Sequence, residues 1–444
     1  MSLLPPAPSS FFVARLARVA VALLIAWCVA SPARAAGFMI TVEPGGSDLP
    51  LAVPKPVAPQ GDAFGDVDVV WSILLRDLEM TGYFDLIDPK AYIDSSGGVE
   101  PGSFKFADWK AIKATALAKT RIQPRGNDIQ LDVFVYDVNS GERIAARGFV
   151  GKPQDVRNLA HRAADAIVVA LTGRPSFFGS QLAVVGSRGA NKEIYVMDID
   201  GESVRPVTRN GSINLSPAWS PDGRRVAWTS YKRGNPDVYV KDLVSGQTSV
   251  LSSRQGINTG AAYSPDGALI ALARSIDADA EIFLIDAVTG ADKQRVTFGG
   301  GIDVSPTWSP DGRYLAFSSE RSGGSQIYLH DTQTGESKRV SFVGGFNTDP
   351  VWSPDGTRIA YVTREGNFDI IVAGIDGSGA IRVTQDQGDN EDPCWSPDGR
   401  YLVFSSTRRG KEEIWLSTAD GRHQVVLTDG SAGWTQPTWQ PPTP

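Results

Sequence analysis

Short apolar stretches recur from about Phe177 to the end of the chain, with the two-residue alternation of strands rather than a helical period. Each repeat holds four such stretches. The first ends in an aromatic residue, and Ser-Pro-Asp-Gly follows as a tight turn. The second reads as YLAFSS at 314–319, the third as QIYLHD at 326–331, and the fourth is a short edge such as QRVT. The pattern predicts one four-stranded sheet per repeat.

The aromatic residue at each of these turns sets the period. Trp219, Tyr263, Trp308, Trp352 and Trp395 are separated by 44, 45, 44 and 43 residues. A fixed period of this size is typical of architectures whose units bury their apolar faces only against neighbouring units. We expect the rings to pack between adjacent repeats, and the turn aspartates to cap the turns rather than bind a metal.

The chain contains five Ser-Pro-Asp-Gly turns but six third strands, so the two counts differ by one. The stretch 182–185 resembles a second strand with no first strand before it. The sequence QPTWQ near the C-terminus supplies the missing strand, since Trp439 follows Trp395 by 44 residues. We therefore predict a six-bladed all-β propeller over residues 176–444, closed by the C-terminal strand.

Residues 36–175 lack this period and predict a small N-terminal mixed α/β domain. Apolar residues at helical spacing predict a helix near 66–81 and another that ends at Gly173. The stretch WKAIKATALA at 109–118 predicts a third helix. Alternation over 128–150 predicts a hairpin that turns at 139–141.

The first 35 residues have the pattern of a cleaved signal peptide. Arg15 and Arg18 precede an apolar run of 12 residues at 19–30, which is shorter than the ~20 residues that a transmembrane helix needs. Ala33 and Ala35 fit a small-x-small cleavage site. We expect an exported, soluble chain that begins near Ala36.

Charge, cysteine content and the absence of known motifs reduce the number of function classes to consider. The net charge of −7 becomes about −10 without the signal peptide, which argues against nucleic acid as a partner. Cys394 is the one cysteine left, so no intrachain disulfide is expected. The three histidines are far apart in the predicted fold, and Gly-x-Ser-x-Gly, P-loop and His-Glu-x-x-His motifs do not occur. We expect no metal, no cofactor and no enzymatic activity.

A set of polar residues lies five positions before each repeated aromatic, at a position whose residue type the strand pattern does not determine. The set is Asn214, Asn258, Asp303, Asn347 and Asn390, with Trp434 in the sixth place. The loops between second and third strands share this face and carry Arg188, Lys232, Arg233, Arg321, Arg364, Arg408 and Arg409. Two interpretations stay open: a protein-binding mouth with a basic rim, or side chains that cap their own loops.

The segment that follows the predicted cleavage site, AGFMITVEPGG, is strand-like. An extended segment at a chain end can add to the exposed sheet edge of another protein. It can equally pair within its own domain.

An export signal, a small α/β domain and six blades with the pattern xPxWSPDG resemble the TolB family, and so does the stretch FMITVEPGGSDLPLAV. Tyr263 in place of Trp and Gly374 in place of a third-strand Asp are the departures. The resemblance implies a non-enzymatic periplasmic adaptor of the Tol-Pal system that supports outer-membrane integrity and invagination during cell division.

The resemblance also implies the partners. The lipoprotein Pal would bind the propeller mouth at the loops of the five polar residues, and the inner-membrane protein TolA would bind Phe38, Met39, Ile40, Thr41 and Val42. Other outer-membrane or peptidoglycan-associated proteins are possible partners, membrane association would be indirect, and a monomer is expected. The alternatives are a periplasmic propeller enzyme (a lyase or hydrolase) and a carbohydrate-binding propeller. An enzyme would show titratable groups with shifted pKa values in the channel, and a sugar binder would expose aromatics there.

Overall fold

The computed structural model describes residues 49–62, 65–94, 97–276 and 279–442. The first part of the chain forms a five-stranded sheet in the order β2-β1-β3-β4-β5 with three helices. Two short 3-10 turns lie at Pro89–Ala91 and Pro153–Asp155. The elements are β1 (Leu49–Ala52), α1 (Val67–Thr81), β2 (Phe84–Leu86), α2 (Phe106–Ala111), β3 (Ala116–Arg125), β4 (Asp128–Asp137), β5 (Arg143–Gly151) and α3 (Val156–Thr172).

The two long helices agree with the predicted ones and pack against each other. Leu74 of α1 and Ile167 of α3 are fully buried in one apolar cluster with Leu131 of the sheet. Helix α3 ends at Gly173, whose φ of 72° is the left-handed conformation that glycine adopts most easily. Among the described residues, no helix is long and apolar enough to cross a membrane.

The predicted helix at 109–118 is wrong over most of its length. Helix α2 ends at Ala111, and Ala116 already begins the ten-residue strand β3. This strand lies between β1 and β4, and its residues Leu117 and Thr120 are buried. The alanines and lysines favour a helix locally, but completing the buried sheet outweighs that small preference.

The rest of the chain forms six four-stranded sheets, which we number as blades 1 to 6. Blade 1 has β6 (Gln181–Arg188), β7 (Asn191–Asp198) and β8 (Arg205–Pro206); blade 2 has β9 (Asn214–Trp219), β10 (Arg225–Ser230), β11 (Asp237–Asp242) and β12 (Thr248–Ser252); blade 3 has β13 (Asn258–Tyr263), β14 (Leu269–Ile276), β15 (Asp279–Asp286) and β16 (Asp292–Arg295).

Blades 4 to 6 repeat the same antiparallel order, and the last strand of the chain returns to blade 1. Blade 4 has β17 (Asp303–Trp308), β18 (Tyr314–Ser319), β19 (Gln326–Asp331) and β20 (Ser337–Arg339); blade 5 has β21 (Asn347–Trp352), β22 (Arg358–Glu365), β23 (Asn367–Gly374) and β24 (Ile381–Arg382); blade 6 has β25 (Asn390–Trp395), β26 (Tyr401–Ser406), β27 (Glu413–Thr418) and β28 (Gln424–Val426); β29 is Trp434–Trp439.

Strand β29 confirms the predicted closure. It pairs antiparallel with β6, with Trp439 opposite Leu182, and so becomes the innermost strand of blade 1. The Trp439 ring is buried, its Nε1 donates to Ser180 Oγ at 2.7 Å, and it contacts Phe177 edge-on at 5.5 Å between centroids. The six-bladed propeller is therefore joined into a circle by backbone hydrogen bonds and buried aromatic contacts.

The repeated aromatics and aspartates act as predicted. Trp219 packs in an apolar cluster with residues of blade 1, and its Nε1 donates to Thr438 O at 3.1 Å across the blade boundary. Asp222 accepts hydrogen bonds from Ser220 Oγ and from the backbone N–H of Arg224. The tryptophan therefore holds neighbouring blades together, and the aspartate holds its own turn.

The N-terminal domain docks on the turns of blades 6 and 1. Tyr401 Oη donates to Thr81 O at 2.8 Å, and the Arg400 guanidinium donates to Pro175 O at 2.9 Å and contacts the Tyr83 hydroxyl. His423 Nε2 lies 2.8 Å from Glu79 O. One apolar cluster runs from the helices of the domain into these blades.

Replacing Trp439 with alanine should destabilise the protein by about 3–5 kcal/mol, because the change removes a buried ring at the closing strand. Chemical denaturation followed by circular dichroism measures this loss. Phe298→Ala is the control, since Phe298 is 69% exposed and its loss should cost less than about 0.5 kcal/mol. Equal effects of the two changes would contradict the closing role of β29.

Candidate functional site

The two faces of the propeller differ in what they present. Arg225, which follows the Ser-Pro-Asp-Gly turn of blade 2, pairs with Asp242, which precedes the turn between β11 and β12. These two kinds of turn form one face, the turn face, where the N-terminal domain docks. Asn214 at the start of β9 pairs with Ser230 at the end of β10, so the connections between blades lie on the opposite face. We call it the open face.

The five polar residues predicted to bind Pal begin the innermost strands on the open face, and they are buried. Asn214, Asn258, Asn347 and Asn390 are 0% exposed and Asp303 is 1% exposed. Trp434 holds the sixth position and is buried against the Tyr195 ring, 5.3 Å away. A buried side chain cannot touch a partner, so these residues can only support the loops above them.

Asn258 illustrates how a single amide fixes two connections. Its Nδ2 donates to the backbone oxygens of Arg254, at 2.6 Å, and of Pro236 and Gly256, both at 3.2 Å. Its Oδ1 accepts from Ser252 Oγ at 2.7 Å. The bonds join the blade connection before β13 to the loop between β10 and β11. Asn214 and Asn390 also donate to backbone oxygens of their connections, so for these three side chains the structure favours the loop-capping interpretation. Asn347 bonds to the Gln326 side chain instead.

Two of the predicted rim arginines turn inward to the same buried residues. Arg321 Nη2 lies 2.9 Å from Asp303 Oδ2, and Arg408 Nη2 donates to Asn390 Oδ1 at 2.8 Å. Burial raises the pKa of Asp303, and the bond with Ser319 and the charge of Arg321 offset only part of that rise. Burial lowers the pKa of Arg408 to about 10.

The other basic residues of this face reach solvent. They are exposed and surround the buried residues at the loops between second and third strands: Lys232, Arg233, Arg364 and Arg409. The side chain of Arg188 lies outside the described set. Four of the seven cations predicted for the basic rim are therefore exposed among the described side chains.

An apolar edge on the open face was missed by the sequence analysis. The residue directly before each of four buried polar residues is a large apolar one that remains exposed. These four residues, the apolar edge, are Ile213 (40%), Ile257 (40%), Ile302 (40%) and Phe346 (38%). Each backbone oxygen accepts a bond from the strand end or loop that follows the second strand, so the four side chains occupy equivalent positions. Their spacing in the sequence is the repeat period, which was the available signal.

The central channel is lined by six residues in equivalent positions of the innermost strands. Each has a positive φ between 50° and 66°, at a bulge where the strand loses register with its neighbour. They are Ser216, Gly260, Ser305, Asp349, Asp392 and Gln436. The channel encloses about 330 Å³.

Two of these channel residues are carboxylates that link neighbouring blades. Asp349 Oδ1 accepts from Ser305 Oγ at 2.7 Å, and Asp392 Oδ2 accepts from Ser405 Oγ at 2.8 Å and from Gln436 N at 3.2 Å. Burial, followed by the charge of Asp349, raises the pKa of Asp392 to about 7. No group of three or more His, Cys, Asp or Glu side chains that could hold a metal occurs within the described ranges.

The predicted TolA-binding segment lies outside the described residues. Its members Phe38, Met39, Ile40, Thr41 and Val42 all precede Leu49, as does the predicted signal peptide. Their role stays a prediction from the sequence.

Alanine at Asn258 or Asn347 should lower the free energy of unfolding by roughly 1–3 kcal/mol, because buried backbone oxygens lose the Asn258 amide and the buried Gln326 side chain loses the Asn347 amide. Thermal and denaturant unfolding measure the loss. Arg364→Ala is the control, since that side chain is exposed on the same face. Unchanged stability of both asparagine variants would contradict the supporting role assigned to these side chains.

Comparison with known proteins agrees with this architecture. The sequence model described as the TolB beta propeller domain matches residues 168–443, and the model of the TolB amino-terminal domain matches residues 39–144. The crystal structure of TolB from Acinetobacter baumannii superimposes with a TM-score of 0.79 at 26% identity, covering 91% of this chain and 99% of that one.

Curated relatives are similar over shorter stretches. The Tol-Pal system protein TolB of Geobacter metallireducens is 40% identical over 150 residues, which is 34% of this chain and 35% of that protein. The protein of the same name from Anaeromyxobacter dehalogenans strain 2CP-C is 35% identical over 219 residues, 48% of this chain and 50% of that protein. The matches thus span about a third to a half of these relatives. Because the propeller match alone covers more than half of the chain, the chain belongs to the TolB family.

Proposed function

We propose that the protein is a non-enzymatic periplasmic adaptor of the Tol-Pal system that links TolA at the inner membrane to the lipoprotein Pal. In this role it supports outer-membrane integrity and invagination during cell division. The observation that carries the proposal is the apolar edge on the open face, on the side of the propeller away from the docked N-terminal domain. The similarity to proteins named Tol-Pal system protein TolB supplies the system.

The apolar edge has the properties of a protein-binding surface. Ile213, Ile257, Ile302 and Phe346 remain about 40% exposed although the chain has an ample core. Clustered exposed apolar side chains rimmed by charge mark interaction sites more often than isolated ones do. The buried polar residues beneath hold these loops in one conformation, which lowers the entropy lost on binding.

The channel gives weaker support to the alternative functions. Its two carboxylates have raised pKa values, but both accept hydrogen bonds that join neighbouring blades. No described histidine lines the channel. A sugar-binding channel would expose aromatic rings, whereas the lining residues Trp219, Tyr263 and Trp439 are all less than one-tenth exposed.

The N-terminal end of the chain supplies the second half of the proposal. We assign residues 1–35 to a cleaved export signal, 36–175 to the N-terminal domain and 176–444 to the propeller. The alternating stretch Phe38–Val42 would add to a sheet edge of TolA. One chain would then hold both Pal and TolA, without a new covalent or catalytic step.

Replacing two residues of the apolar edge, as Ile257→Asp with Phe346→Asp, should weaken binding of the soluble Pal domain at least tenfold, because a central apolar contact is lost. Calorimetry measures the affinity. The matched control is Val244→Asp with Val288→Asp, since these residues are 81% and 74% exposed on the turn face. Weakening by the control pair alone, or by neither pair, would reject the open face as the Pal surface.

Deleting residues Phe38–Val42 should abolish recovery of TolA from detergent-solubilised envelope, while recovery of Pal stays unchanged. The reason is that the segment supplies the strand which TolA pairs with. A pull-down with the full and the deleted protein, followed by mass spectrometry, measures both partners. Loss of Pal together with TolA would mean that the segment contributes to the fold instead.

A further inference from the structure

A buried histidine connects the two domains through one aspartate from each of them. His161 lies on α3, Asp77 lies on α1, and Asp200 lies in the turn after β7 of blade 1. His161 Nδ1 is 2.7 Å from Asp77 Oδ2, and His161 Nε2 is 3.6 Å from Asp200 Oδ2. The three residues are 8%, 0% and 9% exposed. Water therefore has little access to this contact.

The protonation state of His161 decides whether the negative charges of both aspartates are neutralised by neighbouring positive charges. A neutral imidazole has one N–H, which can serve Asp77, and it then presents the lone pair of Nε2 to Asp200. A charged imidazolium presents an N–H to each carboxylate. His161 Nε2 and Asp77 Oδ1 are both buried without a hydrogen-bond partner as the groups now stand.

The surrounding charges favour the protonated form. Arg157, one turn before His161 on α3, bonds to Asp200. The charged groups that face the imidazole are thus Asp77 from α1, Asp200 from the propeller and Arg157 from its own helix. With a neutral imidazole the group carries one net negative charge in a buried place, and with imidazolium it carries none. Burial lowers the pKa of His161, but the bond to Asp77 and the two carboxylates outweigh burial, and the net shift is upward.

We propose that His161 is a proton-dependent clasp between the N-terminal domain and the propeller, which holds the domains docked when protonated and loosens them when it loses the proton. The device lies apart from the proposed Pal surface, because none of its residues lies on the open face. It would let the angle between the domains respond to the pH outside the cytoplasm.

The direction of the pH effect follows from linkage. Undocking separates the imidazole from Asp200 of the propeller, whereas Asp77 and Arg157 remain beside it in the N-terminal domain, so the docked state binds the proton more tightly. Docking is therefore strongest below the pKa that His161 has in the undocked protein, and it weakens as pH rises through the higher pKa of the docked state. Over that interval the equilibrium constant for undocking rises up to about tenfold per pH unit.

Two measurements test the clasp on the full protein. The chain has three histidines, so the imidazole signals can be followed separately by NMR between pH 5 and 9. His161 should titrate above His330, whose pKa is lowered by burial. Distances between spin labels at Glu142→Cys and Val244→Cys, in a Cys394→Ala background, report the domain arrangement. Their distribution should broaden as pH rises from 6 to 9.

Variants separate the clasp from ordinary packing. His161→Gln keeps one hydrogen bond to Asp77 and should make the distance distribution independent of pH, while the control His330→Gln should behave like the parent protein. If His161→Gln does not fold, Asp200→Asn provides the second test and should lower the pKa of His161. A parent protein whose distances do not change with pH would overturn the proposal. An Asp200→Asn variant in which His161 titrates as before would also overturn it.

Discussion

Closure of the circle is the constraint on which the rest of the structure depends. Each blade buries its two faces only against its neighbours, so an open chain of blades would leave two apolar faces in water. Strand β29 removes both ends at once, because it belongs to the end of the chain yet pairs with β6 in blade 1. The apolar cluster beneath this strand continues from blade 6 through Trp439 into the N-terminal domain. The small domain is thereby attached at the place where the circle closes.

The open face shows how a repeat protein can vary its surface while keeping its frame. A buried asparagine or aspartate begins five of the innermost strands, and three of them, Asn214, Asn258 and Asn390, donate to backbone oxygens of the connection above. The residue directly before it is then free to differ. It is apolar in four successive positions, and Asp389 and Gly433 take the place in the other two. The six-bladed frame therefore presents apolar side chains at four successive positions of the open face and not at the other two.

The repeat made the propeller predictable, and the same repeat misled the assignment of the site. Period, turn residues and the missing first strand predict six blades and their closure. The polar residues before each aromatic stand out for the same reason, but sequence alone does not tell whether a polar side chain points to solvent or to the backbone. Asn258 bonds to oxygens that are near in space only after the blades form, such as that of Pro236. In the N-terminal domain, local preference predicts a helix where pairing with β4 makes the strand β3.

The docking of the N-terminal domain across blades 6 and 1 has a mechanical consequence. Thr81 of the domain accepts a bond from Tyr401 of blade 6, and Arg157 of the domain bonds to Asp200 of blade 1. Phe177, two residues after the domain, contacts the rings of Tyr401 and Trp439, with centroids 4.8 Å and 5.5 Å away. A pull applied to the N-terminal domain is therefore shared by two blades rather than borne by one. This arrangement also stabilises the boundary between blades 6 and 1, because the two blades cannot separate until these aromatic contacts are broken. The boundary between blades 6 and 1, where the two ends of the propeller chain meet, is thus reinforced against tension.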